Sequence, residues 1–557
     1  MLRQSSQILA AVQTALFVLL IMNAPGVQSF AQDPPTTPLK APDGDPGNPE
    51  KRTVSSETTV IGGWGESGKD GVSGTNTPAW KLPAPGASVG VRDYGEIGAA
   101  GVIGGAAGTG GQGGNLIITV TGDVDFSGFY TTTLGTTGGN GGRGGQGGQG
   151  QEGGAAFYSG QFARGQDQMD GALGGIGGKG ADGAAGGAGG NLVFTLENGN
   201  VTFATGTVFG GTGGTGGDGG QGGQGGRGGF AGGAYYPYTD GFGGQGGAGG
   251  QGGDGGIGGA GGNAGFAIND GAITFDSVTF GGNGGNAGIG GAGGLGGLFG
   301  WGFESDDFNG AVGSTGSRGN GGKGGVGGNG SLTVNGGEVN FQGTTYFGGL
   351  GGLNADGTRA ASGNGTLTAN AGKLNLAGDM TFRGADSSFT LGRDAMLASG
   401  ASTNQIQANS ITLDGMVYIA NGGILQLAAD DGVYFGGTLN VGLGVDSLGS
   451  LDVLGNLTFG ENAAVSLYGG GDEFFASLYD GWSFDLFSAT GDVNGIEYLL
   501  ANWSGCDANE EFNFTFSLAW DAATGILTLS AADVPEPATL VILGLGLAGL
   551  GVARRRK

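Results

Sequence analysis

Glycine constrains the fold of this chain more than any other residue, because it makes up 145 of 557 positions and in long stretches fills two places of every three. The run "GGTGGTGGDGGQGGQGGRGG" is one example. A Gly-Gly-X period fits an extended left-handed helix of three residues per turn, with the X side chains along one edge. Collagen instead needs one glycine in three and abundant proline, which these runs lack. Two glycine faces let neighbouring segments come close enough to pair their backbone N–H and C=O groups.

The glycine-rich stretches are insertions with a common plan: a glycine run leads out, a tip of different composition follows, and a second glycine run leads back. This plan predicts four hairpin arms. Their composition resembles the polyglycine bundles of some antifreeze proteins and the glycine-rich domains of certain mycobacterial surface proteins. Ordered polyglycine II-like arms and disordered arms both remain open, since glycine loses the most entropy on ordering while arms side by side share hydrogen bonds.

An internal repeat carries these insertions. Segments that begin with Gly-Gly-Asn end at Phe126, Phe203, Phe275 and Phe341, at spacings of 77, 72 and 66 residues. A fifth copy follows with Asn364 only 35 residues after Asn329, so the bare unit has no arm. Apolar and polar residues alternate over two short runs in each copy, which predicts short strands with one buried face.

From about residue 353 to 469, short strand patterns recur every six to twelve residues and many end in Gly, Asn or Asp. Stacked turns of this kind bury a column that no single turn buries alone. We therefore predict an all-β chain, a parallel β-helix or β-solenoid with inserted arms. This region looks like the passenger stalk of bacterial autotransporters. Residues 470–533 are aromatic-rich and predict a β cap over the last turn.

Composition excludes several functions. The chain has no histidine and one cysteine, Cys506, which rules out Ser-His-Asp catalysis, His-ligated metal sites and an internal disulfide. Its net charge is −26, with Lys and Arg scattered, which argues against a nucleic-acid partner. We expect no cofactor and no enzymatic activity.

Both ends carry targeting patterns. Residues 1–31 match a signal peptide with cleavage between Ala31 and Gln32, and the Pro-rich residues 32–60 predict a disordered linker. Strand repeats and four arms then occupy 61–352. At the other end, the sorting motif Val534, Pro535, Glu536 and Pro537 precedes an apolar segment and the basic membrane stop Arg554, Arg555, Arg556 and Lys557.

Residues 534–557 resemble the PEP-CTERM sorting signal of Gram-negative, exopolysaccharide-producing bacteria. The resemblance implies that the tail is held in the inner membrane as a helix and is then processed by an exosortase near Pro-Glu-Pro. The apolar segment 538–553 spans about 24 Å as a helix, a little short of the roughly 30 Å bilayer core, and the basic tip would stay in the cytoplasm. An ordinary tail anchor is the alternative.

Two arm tips combine aromatic rings with carboxylates, a pairing that suits sugars because rings stack on the pyranose face and carboxylates bind hydroxyls. The simpler alternative is that the rings only fix the turns. The candidate glycan contacts are Trp301, Phe303, Asp306 and Asp307 at one tip, and Tyr235, Tyr236, Tyr238 and Asp240 at another.

These features predict an exported, non-catalytic structural or adhesive protein of the cell surface or exopolysaccharide matrix. Its expected partners are an exosortase and extracellular polysaccharide, with transient insertion in the inner membrane. Two alternatives remain: a polysaccharide-processing β-helix enzyme, and an ice-binding or other surface-binding protein that uses the arms. The fold does not decide between them.

Overall fold

The computed structural model describes residues 50–54, 100–126, 133–135, 137–147, 149, 172–229, 242–301, 309–444, 447–469, 482–503 and 514–533. Within these ranges the chain is all-β apart from one short helix, α1 (Ile496–Ala501). The strands of the arm-bearing repeats are β1 (Glu50–Val54), β2 (Leu116–Thr121), β3 (Val124–Phe126), β4 (Thr133–Leu134), β5 (Leu192–Asn198), β6 (Asn200–Phe203), β7 (Val208–Phe209), β8 (Ala264–Ile268), β9 (Ala272–Phe275), β10 (Thr279–Phe280), β11 (Gly330–Val334), β12 (Glu338–Phe341) and β13 (Thr345–Phe347). The later strands are β14 (Gly365–Leu376), β15 (Met380–Phe382), β16 (Ser388–Ser399), β17 (Thr403–Ala408), β18 (Ser410–Leu413), β19 (Met416–Ile419), β20 (Ile424–Ala429), β21 (Val433–Phe435), β22 (Thr438–Gly444), β23 (Ser447–Leu448), β24 (Ser450–Leu454), β25 (Leu457–Phe459), β26 (Ala464–Gly469), β27 (Ser483–Ala489), β28 (Val493–Asn494), β29 (Phe514–Asp521) and β30 (Ile526–Asp533).

Strands pair with the equivalent strands of the next copy, in parallel, along three ladders. The first ladder contains β1, β2, β5, β8, β11, β14, β16, β18, β21, β25 and β28. The second contains β3, β6, β9, β12, β14, β16, β19, β22 and β26. The third contains β4, β7, β10, β13, β15, β17, β20, β24 and β27. These parallel sheets agree with the all-β expectation and are consistent with a β-helix.

The repeated phenylalanines of the sequence stack inside the ladders. Phe126 is the register partner of Phe203, and Phe275 is that of Phe341, although the residues of each pair lie far apart in sequence. The rings of Phe203 and Phe275 are 5.6 Å apart and nearly parallel. A second stack in the third ladder brings Phe280, Phe347 and Phe382 to successive centroid distances of 4.5 Å. The unequal sequence spacings therefore correspond to one uniform step in space.

Glycines with positive φ make two corners that recur along the repeats. At the first corner, between the first and second ladders, Gly199, Gly271, Gly337 and Gly372 have φ between 75° and 97°. At the second, directly after a third-ladder strand, Gly210, Gly281 and Gly348 have φ between 91° and 97°. L side chains rarely adopt this conformation, so glycine is needed at both corners. The second corner is where the chain leaves the ladders and enters a glycine-rich segment.

The two ends of the described ladders differ from the sequence expectation in detail. Glu50–Val54 forms a strand that pairs with β2, within the 32–60 segment for which the sequence predicts a disordered linker. At the other end, β27 and β28 extend the third and first ladders before β29 and β30 add an antiparallel hairpin. Aromatic rings close this end, with Phe487 lying 5.4 Å from both Phe459 and Trp520.

Candidate binding surface on the glycine-rich legs

The arms are built from paired glycine-rich legs. We call the segments 137–147, 211–229 and 282–301 the outward legs, since each leads away from the ladders, and the segments 100–115, 172–191, 242–263 and 309–329 the inward legs, since each returns. The repeat between β13 and β14 has only a short pair, 349–353 and 360–364, joined by a turn in which Asn354 N–H donates to Thr358 O.

Backbone hydrogen bonds join the legs into two layers. In the leg 211–229, Gly216 N–H donates to Asn286 O of the next outward leg at 2.8 Å, while Gly217 N–H donates to Ala184 O of an inward leg at 2.8 Å. The same pair of bonds recurs every three residues along the leg. Outward legs thus form one layer, inward legs form the other, and the second glycine of each triplet joins the layers.

Close packing explains why two of every three residues are glycine. A Cβ on Gly216 would lie 2.2 Å from Gly256 O, and one on Gly217 would lie 1.9 Å from Gly142 O. Real side chains do not come this close, so both positions exclude every other residue type. The X side chains therefore lie on the two outer surfaces, which we call the inward face and the outward face.

Asparagine and aspartate at X positions satisfy the remaining backbone donor of the neighbouring leg. On the inward face the side-chain oxygens of four asparagines each accept the backbone N–H of the next asparagine in the series, at 2.8 to 3.0 Å. The acceptors are Asn115, Asn191, Asn263 and Asn329, and Asn364 is the last donor. Asp182 and Asp254 repeat the arrangement three rows further out, with Asn320 as the last donor. The sequence analysis missed this role, although the Asn of every "GGN" copy was its visible signal.

On the outward face, the leg 282–301 carries a row of apolar X residues. We call Ile289, Ala292, Leu295, Leu298 and Trp301 the apolar stripe; its four large side chains are 54 to 64% exposed. The next outward leg ends near Leu353, so this stripe borders an open side. Along it, the N–H groups of Gly290, Gly293 and Gly296 have no partner within the described part of the chain.

Two exposed carboxyl groups of the described residues have lowered pKa values. Hydrogen bonds from Thr358 lower the pKa of Asp356, which lines a depression with Lys323 and Asn354 beside the short leg pair. The backbone N–H of Ala523 and the hydroxyl of Thr524 lower the pKa of Asp521 in the β29–β30 turn. Among the described residues no group of three or more Cys, Asp or Glu is arranged to hold a metal ion.

Of the predicted site residues, the structure describes only Trp301, which lies at the end of the apolar stripe. The other predicted sites lie outside the described residues, so their arrangement stays a prediction: Phe303, Asp306 and Asp307; Tyr235, Tyr236, Tyr238 and Asp240; Ala31 and Gln32; and the tail 534–557. In the ranges that the structure describes, no helix is both long and apolar enough to span a membrane.

Comparison with known proteins identifies the tail. Residues 533–557 match the PEP-CTERM protein-sorting motif. The match indicates a secreted surface protein that an exosortase processes, as the sequence predicted from nearly the same residues. No curated protein matches the chain.

Proposed function

We propose that this chain is a non-catalytic structural or adhesive protein of the bacterial cell surface or exopolysaccharide matrix. The observation that carries the proposal is the two-layer array of glycine legs, whose two outer faces present X side chains in regular rows. A protein that is exported, sorted and built to display two wide faces suits a role in contact and assembly. We also propose that the protein uses no cofactor and catalyses no reaction.

The proposal has a structural part. We propose that the three ladders close around the phenylalanine stacks into a β-solenoid, and that the legs adopt the polyglycine II conformation. Parallel in-register pairing over successive copies and a buried column of rings support the solenoid. Hydrogen bonds that repeat every third residue support three residues per turn in the legs.

Extracellular polysaccharide is the partner that we propose. The X rows include hydroxyl and amide groups that suit sugar hydroxyls, such as Thr215 and Gln251, and an aromatic ring, Trp301, stands exposed at the end of one leg. The net charge of −26 disfavours nucleic acid and points to neutral glycans or to glycans bridged by cations.

The first experiment fractionates the producing cells, with and without their exosortase, and measures the intact mass of the native protein. We expect loss of the residues after Pro537 and release to the surface or matrix only when the exosortase is present. A full-length protein in the inner membrane of both strains would contradict the sorting. Binding of the processed protein to the host's purified exopolysaccharide then tests adhesion, with unrelated neutral dextran as the control.

The regular spacing of the X rows also favours a second candidate, binding to a crystalline surface such as ice. Small apolar residues form one row of the inward face, where Ala188, Ala260 and Val326 follow one another across three legs. A thermal-hysteresis assay on the processed protein distinguishes this candidate from a matrix role. Turnover of extracellular glycans would instead indicate the enzyme alternative.

A further inference from the structure

Apart from Trp301 at its end, the apolar stripe is a surface that neither sorting nor the proposed glycan binding uses. Its four large side chains expose roughly 400 Å² on one line, about the size of the largest single patch on a typical monomer. Aliphatic residues form most of it, and they have no hydrogen-bonding groups for the hydroxyls of a sugar. A binding site for an apolar partner surface explains these residues better.

The neighbouring leg places polar residues beside the stripe in a fixed register. Gly219 N–H donates to Ile289 O and Gly228 N–H donates to Leu298 O, at 2.8 and 2.9 Å. These bonds, with the two between them, align four side chains with the stripe in the order Asp218 beside Ile289, Gln221 beside Ala292, Gln224 beside Leu295, and Arg227 beside Leu298. The two rows thus form a block four residues long and two legs wide.

This block is complementary to itself when reversed. When a second copy of the block is reversed along the legs and placed against the first, an acidic residue faces a basic one and glutamine faces glutamine. The small Ala292 then faces the large Leu295. We propose that the outward face binds a second copy of this chain through this block, with the legs antiparallel and a two-fold axis between the rows of Ala292 and Leu295. Asp218 then faces Arg227 of the second copy, and Ile289 faces its Leu298.

The area of the contact and the charges within it both favour a second copy of the chain as the partner. Two copies of the stripe with the polar rows beside them bury on the order of 1,200 Å², the lower end of specific interfaces. The paired opposite charges fix the register and offset repulsion between two chains of net charge −26. Because the same patch is used by both copies, the contact closes as a dimer and does not continue into a fibre. The inference does not depend on the proposed glycan binding.

The first test measures the mass of the processed native protein by sedimentation equilibrium over a range of concentrations. We expect a monomer–dimer equilibrium that Leu298→Asp weakens by a factor of about 100 or more, since it buries a charge against the apolar Ile289 of the second copy. Ile257→Asp is the matched control, because Ile257 occupies an X position of the inward face with 55% exposure. A monomer at all concentrations, or a dimer that Leu298→Asp leaves unchanged, would overturn the proposal. Equal weakening by Ile257→Asp would do the same.

The second test fixes the register with the double variant Ala292→Cys and Leu295→Cys, made together with Cys506→Ser so that no native thiol takes part. Three residues along one leg are about 9 Å apart, beyond the roughly 7 Å Cα separation that a disulfide allows, so the pair does not close within one chain. We expect oxidation to give a dimer in which peptide mapping finds residue 292 of one copy bonded to residue 295 of the other. Each single-cysteine variant, and the pair Ile257→Cys with Ala260→Cys on the inward face, should stay uncrosslinked. Crosslinking in those controls, or a link other than 292 to 295, would refute the antiparallel register.

Discussion

At the scale of single residues, space between backbones decides where glycine stands in the legs. The inward leg 309–329 shows the rule by its exceptions, since Val312, Thr315 and Arg318 fill positions that are glycine in the inner legs. No leg of the described chain lies beyond them, and Arg318 folds back to donate from Nε to Gly290 O at 3.1 Å. Glycine is therefore required only where a neighbouring leg is present.

Gly217→Ala tests this rule in the middle of the array. Alanine ordinarily stabilises by restricting the unfolded chain, but here its Cβ would lie 1.9 Å from Gly142 O, so overpacking prevails. We expect a loss of about 1–3 kcal/mol, seen as faster hydrogen exchange in the legs 137–147 and 211–229. Thr215→Ala, at an exposed X position of the same leg, should leave exchange nearly unchanged. Unaltered exchange in Gly217→Ala would show that the layers are not closely packed.

The hydrogen bonds of Asp521 predict how the stability of the protein depends on pH. Its carboxylate accepts the Ala523 N–H at 2.9 Å and the Thr524 hydroxyl at 2.8 Å, which lowers its pKa in the folded state. The charged form therefore stabilises the β29–β30 turn above the unfolded pKa of about 3.9, and this contribution is lost as the pH falls through the lowered pKa. Asp521→Asn should reduce the thermal midpoint at about pH 7 and match the wild type near pH 2. A constant difference at both pH values would contradict this origin.

At the scale of elements, the phenylalanine stacks hold successive copies together. Phe280 is fully buried and stacks on Phe347 at 4.5 Å. Phe280→Ala removes a ring on which three ladders converge, and we expect it to lower the free energy of unfolding by about 3–5 kcal/mol in a urea titration. Tyr434→Ala, which truncates an exposed ring on the outer surface of the first ladder, is the control and should cost far less. An equal loss of unfolding free energy in both variants would mean that the phenylalanine stacks are not the stabilising core.

The repeat and the glycine period made it possible to predict the strands and the legs. They did not predict which legs are hydrogen-bonded to one another. Equally placed Phe126 and Phe203 indicated copies that stack, because a buried face repeats at each turn. The layering of the legs did not follow, since side-chain hydrogen bonds between neighbouring legs join residues 66 to 76 positions apart and the tips between them vary in length. The apolar stripe escaped notice for a related reason: Ile289 and Leu295 are ordinary X residues until the open side of their leg is known.

At the scale of the whole molecule, the bare repeat shows that the ladders do not need an arm. Between β13 and β14 the chain turns after a few glycine residues, and Gly330 still pairs with Gly365 in unbroken register. Stability of the ladders and display by the arms are thus separable, which allows an arm to be shortened without loss of the fold.

Replacing residues 289–321 with the turn Asn354–Thr358 of the bare repeat tests this separation. The cut is made where Gly322 N–H donates to Gly288 O at 3.0 Å, so both legs remain joined. We expect hydrogen exchange of 365–429 to be unchanged, because those strands contact only neighbouring ladders. Dimerisation should be lost with the apolar stripe, and the leg 242–263 should exchange faster as it becomes the new edge. Unfolding of all three ladders would instead show that the arms and the ladders form one cooperative unit, because loss of an arm would then destabilise the ladders as well.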